Sequence, residues 1–392
     1  MYSVKKFKII GIDATPIIAN YFQGAGISKY ISNIINLLLE IDTKNEYYFF
    51  IRTFRKTIPK QVILDYEKYA NVKFKKVFLP DRVQKFIWDT KILTDVLQKQ
   101  FYNNLDIFFS TVYFTPYLKN VNVISFIYDI TPIRSPVVSP SYRESFRELL
   151  FSTIQRSDYF IVISEFTKKD VIAAFNLPEE KIEVVYPVIS ERFCIQPKEI
   201  IFYTLKKYGL NPEEKYILYV GVRGENKNLL TAVKAFSYLV NNYKIKHNFV
   251  FVGRPDCTGK VDKDIMNFAL NNNIIDRIKF ISYLPDDDLP AIYSGADLFV
   301  FPSLYEGFGM PLVEAMSCGV PIVASNTSSI PEVVADAGIL CSPYDYISIA
   351  EAMYLLIVDE NIRQNIIKKG LERSKKFKDT QIIKKLLNLI NK

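Results

Sequence analysis

One histidine and four cysteines in 392 residues remove several chemistries at the outset. A mechanism built on a histidine base would have to use His247, which stands in the polar stretch "YKIKHNF" before a strand pattern and reads as a solvated turn residue. Cys194, Cys257, Cys318 and Cys341 are widely spaced and form no C-x-x-C pair, so neither structural zinc nor a disulfide framework is expected. Long hydrophobic runs are lacking too. No window approaches the roughly 20 apolar residues of a membrane span, and no long apolar segment follows "MYSVKKFKIIGID". The expectation is a cytoplasmic protein without a signal peptide. No low-complexity linker interrupts the chain either.

What is present is an alternation of short β-branched and aromatic runs with longer helical patterns, the mark of parallel sheets with crossover helices. Seven strand candidates lie in the first half: "FKIIGID", "EYYFFI", "KKVFL", "DIFFS", "NVISFIYD", "DYFIVIS" and "IEVVYP". Six lie in the second: "KYILYVG", "NFVFVG", "IKFIS", "DLFVF", "VPIVAS" and "GILC". The length exceeds what one hydrophobic core usually supports. Two doubly wound α/β domains are therefore expected, over 1–193 and 194–373, with a helix over 374–392 crossing back to the first. In such sheets the ligand lies at the carboxyl ends of the strands.

Charge is unevenly spread. Residues 1–195 hold 26 Lys and Arg against 20 Asp and Glu, whereas residues 196–392 hold 24 against 22. Some of the excess is interleaved with aromatics in "RTFRKTIPK" and "NVKFKKVF", beside "DRVQKFIWDTKIL", where Val83, Phe86 and Ile87 share a helical face. Such a surface suits an anionic membrane or a nucleic acid, or is a solvated basic face over a core helix. No nucleic-acid motif is present, so nucleic acid is not expected as a partner.

Three places could receive an anion. Gly24, Gly26 and Ser28 in "FQGAGISKYISNI" stand where a loop opens a helix after the strand ending at Asp13; free N–H groups there favour phosphate, although such residues are also ordinary caps. The pattern recurs in "YILYVGVRGENKNLLTAVKAF", a strand to Gly221, a polar loop with Arg223 and Lys227, then a helix. Two cations at a strand mouth make a diphosphate site, or are two exposed loop charges. The third place is "PSLYEGFGMPLVEAM", where Pro311 opens a helix and the amides of Gly309, Met310 and Leu312 are expected to face the strand end.

That last stretch also carries two acids, Glu306 and Glu314. Carboxylates suit hydroxyls rather than phosphate, so the anion is expected to carry sugar: one acid for vicinal ribose hydroxyls, the other for a hexose. A hydrolase could pair the same acids but would not need flanking phosphate sites. The D-x-D triplets in "PDDDLPAIY" (Asp286, Asp288) and "VDKDI" (Asp262, Asp264) could hold Mg²⁺. Both precede helical patterns, and helix capping is the preferred reading, with no metal or cofactor expected.

With these residues placed, "FVFPSLYEGFGMPLVEAMSCGVPIVASNTSSIPEVVADAGIL" resembles the Glu-x7-Glu region of the retaining family 4 glycosyltransferases of GT-B architecture. "GISKYISNI", "YDITPI" and "DYFIVISEFTKKDV" resemble the acceptor domain of that family, and the overall style is similar to its mannosyltransferase-like branch in bacterial surface polysaccharide synthesis. The resemblance implies two Rossmann-like domains facing across a cleft. It implies that Glu306 sits by the donor hexose and the anomeric carbon, with the amides of Gly307, Phe308 and Gly309 on sugar hydroxyls and Glu314 on the ribose. Arg223 and Lys227 would steady the departing diphosphate, with Gly26 offering its amide, while Tyr283 and Leu284 would meet the base through backbone atoms. Two positions depart from the pattern: Tyr128-Asp129 replaces a frequent His-Asp, and Asn226-Lys227 replaces an Arg-Lys pair.

The implied reaction moves a hexose from a nucleotide diphosphate sugar, GDP-mannose first and UDP-hexose next, to a glycan or lipid-linked glycan. Glu306 and Asp129 are the only carboxylates available as a nucleophile, and front-face substitution, in which the leaving diphosphate takes the acceptor proton, is the expected route. An epimerase, a phosphorylase or an idle nucleotide-binding scaffold are the rivals. A peripheral contact with the inner face of an anionic membrane would suit a lipid-carried acceptor, which is expected near "YDITPIRSPVVSPSYRESF".

Overall fold

A computed structural model describes residues 7–21, 26–52, 58–135, 137–282, 284–378 and 380–392. Gly24, Tyr283 and the middle of "RTFRKTIPK" lie outside the described residues. All thirteen strand candidates form strands, and every pairing is parallel. The reason is burial on both faces, which turns the usual alternation into near-continuous apolar runs such as "YILYV" and "LFVF", where every residue is buried.

The chain divides into two compact units. One comprises residues 1–133, 138–188 and 380–392; the other comprises 134–137 and 189–379. The first holds a seven-stranded sheet of β1 (Ile9–Asp13), β2 (Glu46–Arg52), β3 (Val72–Val77), β4 (Ile107–Ser110), β5 (Asn122–Ile127), β6 (Tyr159–Val162) and β7 (Ile182–Val184), in the order β3-β2-β1-β4-β5-β6-β7. Its last segment, the helix Ile382–Asn391, packs against the helix Gly26–Ile41 and buries Ile383, Leu386, Leu389 and Ile390. The Lys385 ammonium donates to the Val184 carbonyl at 3.0 Å and pairs with Glu183.

The second unit holds a six-stranded sheet of β8 (Tyr216–Val220), β9 (Asn248–Val252), β10 (Ile278–Ile281), β11 (Leu298–Phe301), β12 (Ile322–Ser325) and β13 (Ile339–Cys341), in the order β10-β9-β8-β11-β12-β13. Strand order reverses between β1 and β4 in one sheet and between β8 and β11 in the other. At such a reversal the two flanking loops part to opposite faces and leave a crevice at the carboxyl ends.

A single carboxylate ties the amino ends of three strands together in the second unit. Asp297, just before β11, accepts from His247 Nε2 at 2.9 Å and pairs with Lys215 at 3.1 Å, with Arg363 reaching it from the helix Glu360–Lys375. His247 is 5% exposed, which corrects its reading as a solvated turn residue: the sequence neighbours are polar, but the ring turns inward to the acid. Burial alone would raise the Asp297 carboxyl, but the hydrogen bond from His247 and the charges of Arg363 and Lys215 prevail and hold it down at about 2.

Candidate active site

The loops after β8 and β11 meet at the second reversal point. β8 runs into Gly221 at φ of 150°, and beside it Gly253 follows β9 at φ of 129°, both positive values that side-chain-bearing residues rarely adopt. A Cβ on Gly253 would lie 2.2 Å from the Gly221 carbonyl oxygen, so this close backbone approach requires glycine. Beyond Gly221 a short 3-10 turn, Glu225–Lys227, delivers Lys227, and Asn228 in the left-handed region at φ of 56° starts the helix Leu229–Tyr243.

The Asn228 side chain then ties this loop to its neighbours. Its Nδ2 donates to the Pro302 carbonyl at 3.2 Å and to that of Pro343 at 2.6 Å, while its Oδ1 accepts from Thr231. The Leu304 amide closes onto the Asn226 carbonyl at 2.9 Å. Held in this way, Lys227 Nζ meets Glu306 Oε1 at 2.7 Å, with side-chain exposures of 21% and 12%. The two residues the sequence singled out for charge and for sugar are therefore direct partners, although 79 positions separate them.

The backbone around Glu306 is fixed from the far side by two serines. Ser328 Oγ accepts from the Glu306 amide at 3.0 Å, and Ser329 Oγ donates to the carbonyls of Glu306 and Phe308 at 3.0 and 3.1 Å. The Phe308 ring is buried edge-on against Phe377. Gly309, at φ of 96°, then opens the helix Met310–Ser317, with Pro311 inside its first turn. The Leu312 amide is closed onto the Gly309 carbonyl at 3.0 Å, so it is not among the open amides that the sequence reading expected.

Glu314 lies in that helix, 6% exposed, and accepts from Tyr293 Oη at 2.8 Å. Burial, then the nearby Glu314 charge, pushes the Tyr293 phenol well above its ordinary value, which keeps it protonated as a donor. The same two causes raise the Cys318 thiol. Leu284, at the mouth of the β10 loop, is buried.

Arg223 is placed differently from the expectation. Its Nε and Nη2 each donate to Asp262 at 2.7 Å, its Nη1 donates to the Gly253 carbonyl, and its guanidinium stacks 4.7 Å from the Phe280 ring centre. At 2% side-chain exposure, this fork is spent on holding the β8, β9 and β10 loops together rather than offered to a phosphate. The capping reading of the D-x-D acids changes with it. Asp262 stands in the first turn of the helix Lys260–Asn271 but serves Arg223, and Asp288 accepts from Lys207 and Tyr208, with no cap bond from its side chain. Among the described residues no group of three or more His, Cys, Asp or Glu is gathered in metal-binding geometry.

In the first unit, Gly26 is exposed at the start of the helix Gly26–Ile41. Asp129 follows β5, half-buried, with Oδ1 accepting from the Thr131 amide at 2.8 Å. Tyr128, where the resembling pattern has histidine, is buried with its phenol on the Thr111 carbonyl. The sequence reading missed Asp13 and Arg52, a buried pair at 3.0 Å closing the ends of β1 and β2, with the guanidinium 4.4 Å over the Phe114 ring. Asp13 also accepts from Thr15 at both its amide and its hydroxyl. An aspartate at the end of a central strand was the available signal.

Two family models cover most of the chain. Residues 25–192 match Glycosyltransferase Family 4, and residues 203–373 match Glycosyl transferases group 1. The chain belongs to the family 4 glycosyltransferases. O-antigen chain mannosyltransferase B of Escherichia coli is 30% identical over 255 residues, 65% of this glycosyltransferase and 66% of that one. The serotype-specific mannosyltransferase WbdA of Escherichia coli is 29% identical over 242 residues, 61% of this chain but only 29% of its own, so under a third of WbdA is represented. Among solved structures, sucrose-phosphate synthase from Thermosynechococcus elongatus superposes with a TM-score of 0.76 at 16% identity, covering 98% of each chain. The fold is GT-B, with two Rossmann-like parallel-sheet domains.

Proposed function

We propose that this glycosyltransferase moves a hexose, with retention at the anomeric carbon, from a nucleotide diphosphate sugar to a glycan or lipid-linked glycan during synthesis of a bacterial surface polysaccharide such as O-antigen, capsule or lipopolysaccharide. The observation that carries the proposal is the Lys227–Glu306 pair, a cation and an acid held 2.7 Å apart by adjacent loops at the β8/β11 reversal point. Lys227 meets the diphosphate when the donor binds, and Glu306 turns to the hexose. Glu314 is the acid for the ribose, and Asp129 and Gly26 are the first domain's contributions.

The bond from the anomeric carbon to the diphosphate oxygen breaks while the acceptor oxygen adds from the same face. The acceptor proton passes to the departing diphosphate, so Lys227 stabilises charge that grows in the transition state. No metal is needed, because that ammonium supplies the positive charge. GDP-mannose is the first donor, supported by the two mannosyltransferase relatives, with UDP-hexose next. The protein works in the cytoplasm, at the membrane's inner face when its acceptor is lipid-borne.

Incubation with a panel of nucleotide sugars tests this. Nucleotide diphosphate should appear fastest from GDP-mannose, more strongly with a lipid-linked glycan present and equally in EDTA. The product's anomeric configuration, read by proton NMR, should match the donor's. A donor sugar epimerised without nucleotide release, or no turnover of any donor, would overturn the reading.

A further inference from the structure

Residues 72–101 of the first unit hold seven Lys and Arg against three Asp. The segment runs from β3, the edge strand, through the helix Asp81–Thr90 and a sharp turn into the helix Thr94–Phe101. Its underside is well anchored, since Trp88 and Leu97 are buried in a core cluster with Phe50, Tyr102 and Phe108. Its outer side is apolar to an unusual degree. Phe78, Val83, Phe86, Ile92, Leu93 and Val96 are all exposed, Phe86 at 62% and Leu93 at 60%. Val83 and Phe86 lie three apart on the helical face opposite the buried Gln84 and Trp88.

Two details separate this patch from scattered surface hydrophobics. Lys91 and Leu93 both take left-handed backbone, at φ of 57° and 58°, which is costly for such side chains and presents Ile92 and Leu93 at the turn. Two of the three acids, moreover, are occupied from outside the segment: Asp89 pairs with Arg156 and Asp95 with Lys119 at 2.9 Å. Arg82, Lys85, Lys91 and Lys99 are left exposed around the apolar residues. Aliphatic and aromatic side chains ringed by long cationic ones fit the boundary between headgroups and acyl chains, where lysine stems lie along the apolar layer and their ammonium groups meet anionic headgroups.

We infer that the segment from Phe78 to Val96 docks this protein onto an anionic lipid surface, with Phe86, Ile92 and Leu93 inserted below the headgroups. In the parallel register Val77, at the end of β3, sits beside Arg52, the partner of Asp13. The docking segment therefore leaves the same carboxyl edge of the sheet that carries Asp13 and Asp129. The inference does not rest on the donor chemistry, and the two are tested separately.

The test uses the full chain with sedimenting vesicles, either of equal phosphatidylglycerol and phosphatidylcholine or of phosphatidylcholine alone. The protein should pellet with the anionic vesicles at low salt and lose roughly tenfold or more in partition with Phe86→Ser combined with Leu93→Asn. Asparagine accepts left-handed backbone, so this variant keeps its fold, its circular dichroism and its nucleotide release in the absence of lipid. Reversing Arg82 and Lys85 to Glu should weaken binding to a similar extent. The single native tryptophan, Trp88, is 1% exposed and should stay unquenched by brominated lipid, whereas a tryptophan in Phe86→Trp should be quenched. Protein that stays in the supernatant with anionic vesicles, or variants that pellet as well as the original, would overturn the inference. So would a dimer that the double variant abolishes without lipid, or tighter capture by RNA than by vesicles.

Discussion

At the scale of residues, two cations that look alike in "VGVRGENKN" have opposite environments. Lys227 is one fifth exposed and faces a carboxylate at the crevice; Arg223 is enclosed and committed to Asp262. Lys227→Ala should therefore lower kcat by roughly a hundredfold or more, with some loss of urea stability as well because the largely buried Glu306 is left without its cation. Glu306→Gln should abolish transfer and keep nucleotide affinity. Arg223→Met should act on stability instead, costing about 1–3 kcal/mol because the half-buried Asp262 carboxylate and the Gly253 carbonyl lose their donor, while the folded fraction still turns over. Steady-state kinetics beside urea titration separates the two behaviours, and a Lys227→Ala enzyme with normal kcat would remove the electrostatic role. The sequence could not separate them. Both sit in one polar loop, and only the β8–β9 pairing, which sets Asp262 under Arg223 from 39 positions away, decides which is spent.

At the scale of elements, the strands were readable because burial on both faces leaves apolar runs that survive in one dimension. The loops and helix starts beyond the strand ends were harder to read. An aspartate before a helical pattern reads as a cap, yet Asp262 and Asp288 answer to cations brought in by other elements. His247 and Asp297 are a further case, joined only once β9 and β11 are in place on either side of β8. That junction has a pH signature. The Asp297 carboxyl is held at about 2, against an ordinary 3.8, so its ion pairs stabilise the fold above about pH 4 and lose that contribution as pH falls through 2. The difference corresponds to about 2 kcal/mol. Asp297→Asn should therefore be destabilised by about that amount at pH 7, with the gap to the original chain narrowing below pH 4 and closing near pH 2 in urea titrations. A gap independent of pH would mean that shape, not charge, makes the junction.

At the scale of the whole molecule, the first unit is discontinuous: residues 380–392 complete it after the entire second unit has intervened. Ile383, Leu386, Leu389 and Ile390 are fully buried there, each contributing about 1.5–3 kcal/mol on burial. A chain stopped at residue 379 should lose cooperative unfolding of the first unit and bind a hydrophobic dye, while the second unit keeps its own transition in calorimetry. Two full transitions would show the helix to be dispensable. The arrangement also sets a timetable. Between residue 188 and residue 380 a ribosome works for about 10–40 s at ordinary elongation rates. For that time the nascent first unit carries an open apolar seam along the helix Gly26–Ile41. The second unit, whose main segment is continuous, can fold before the first is sealed, so in the cell the loops that pair Lys227 with Glu306 are made ready before the unit that carries Asp129 is finished.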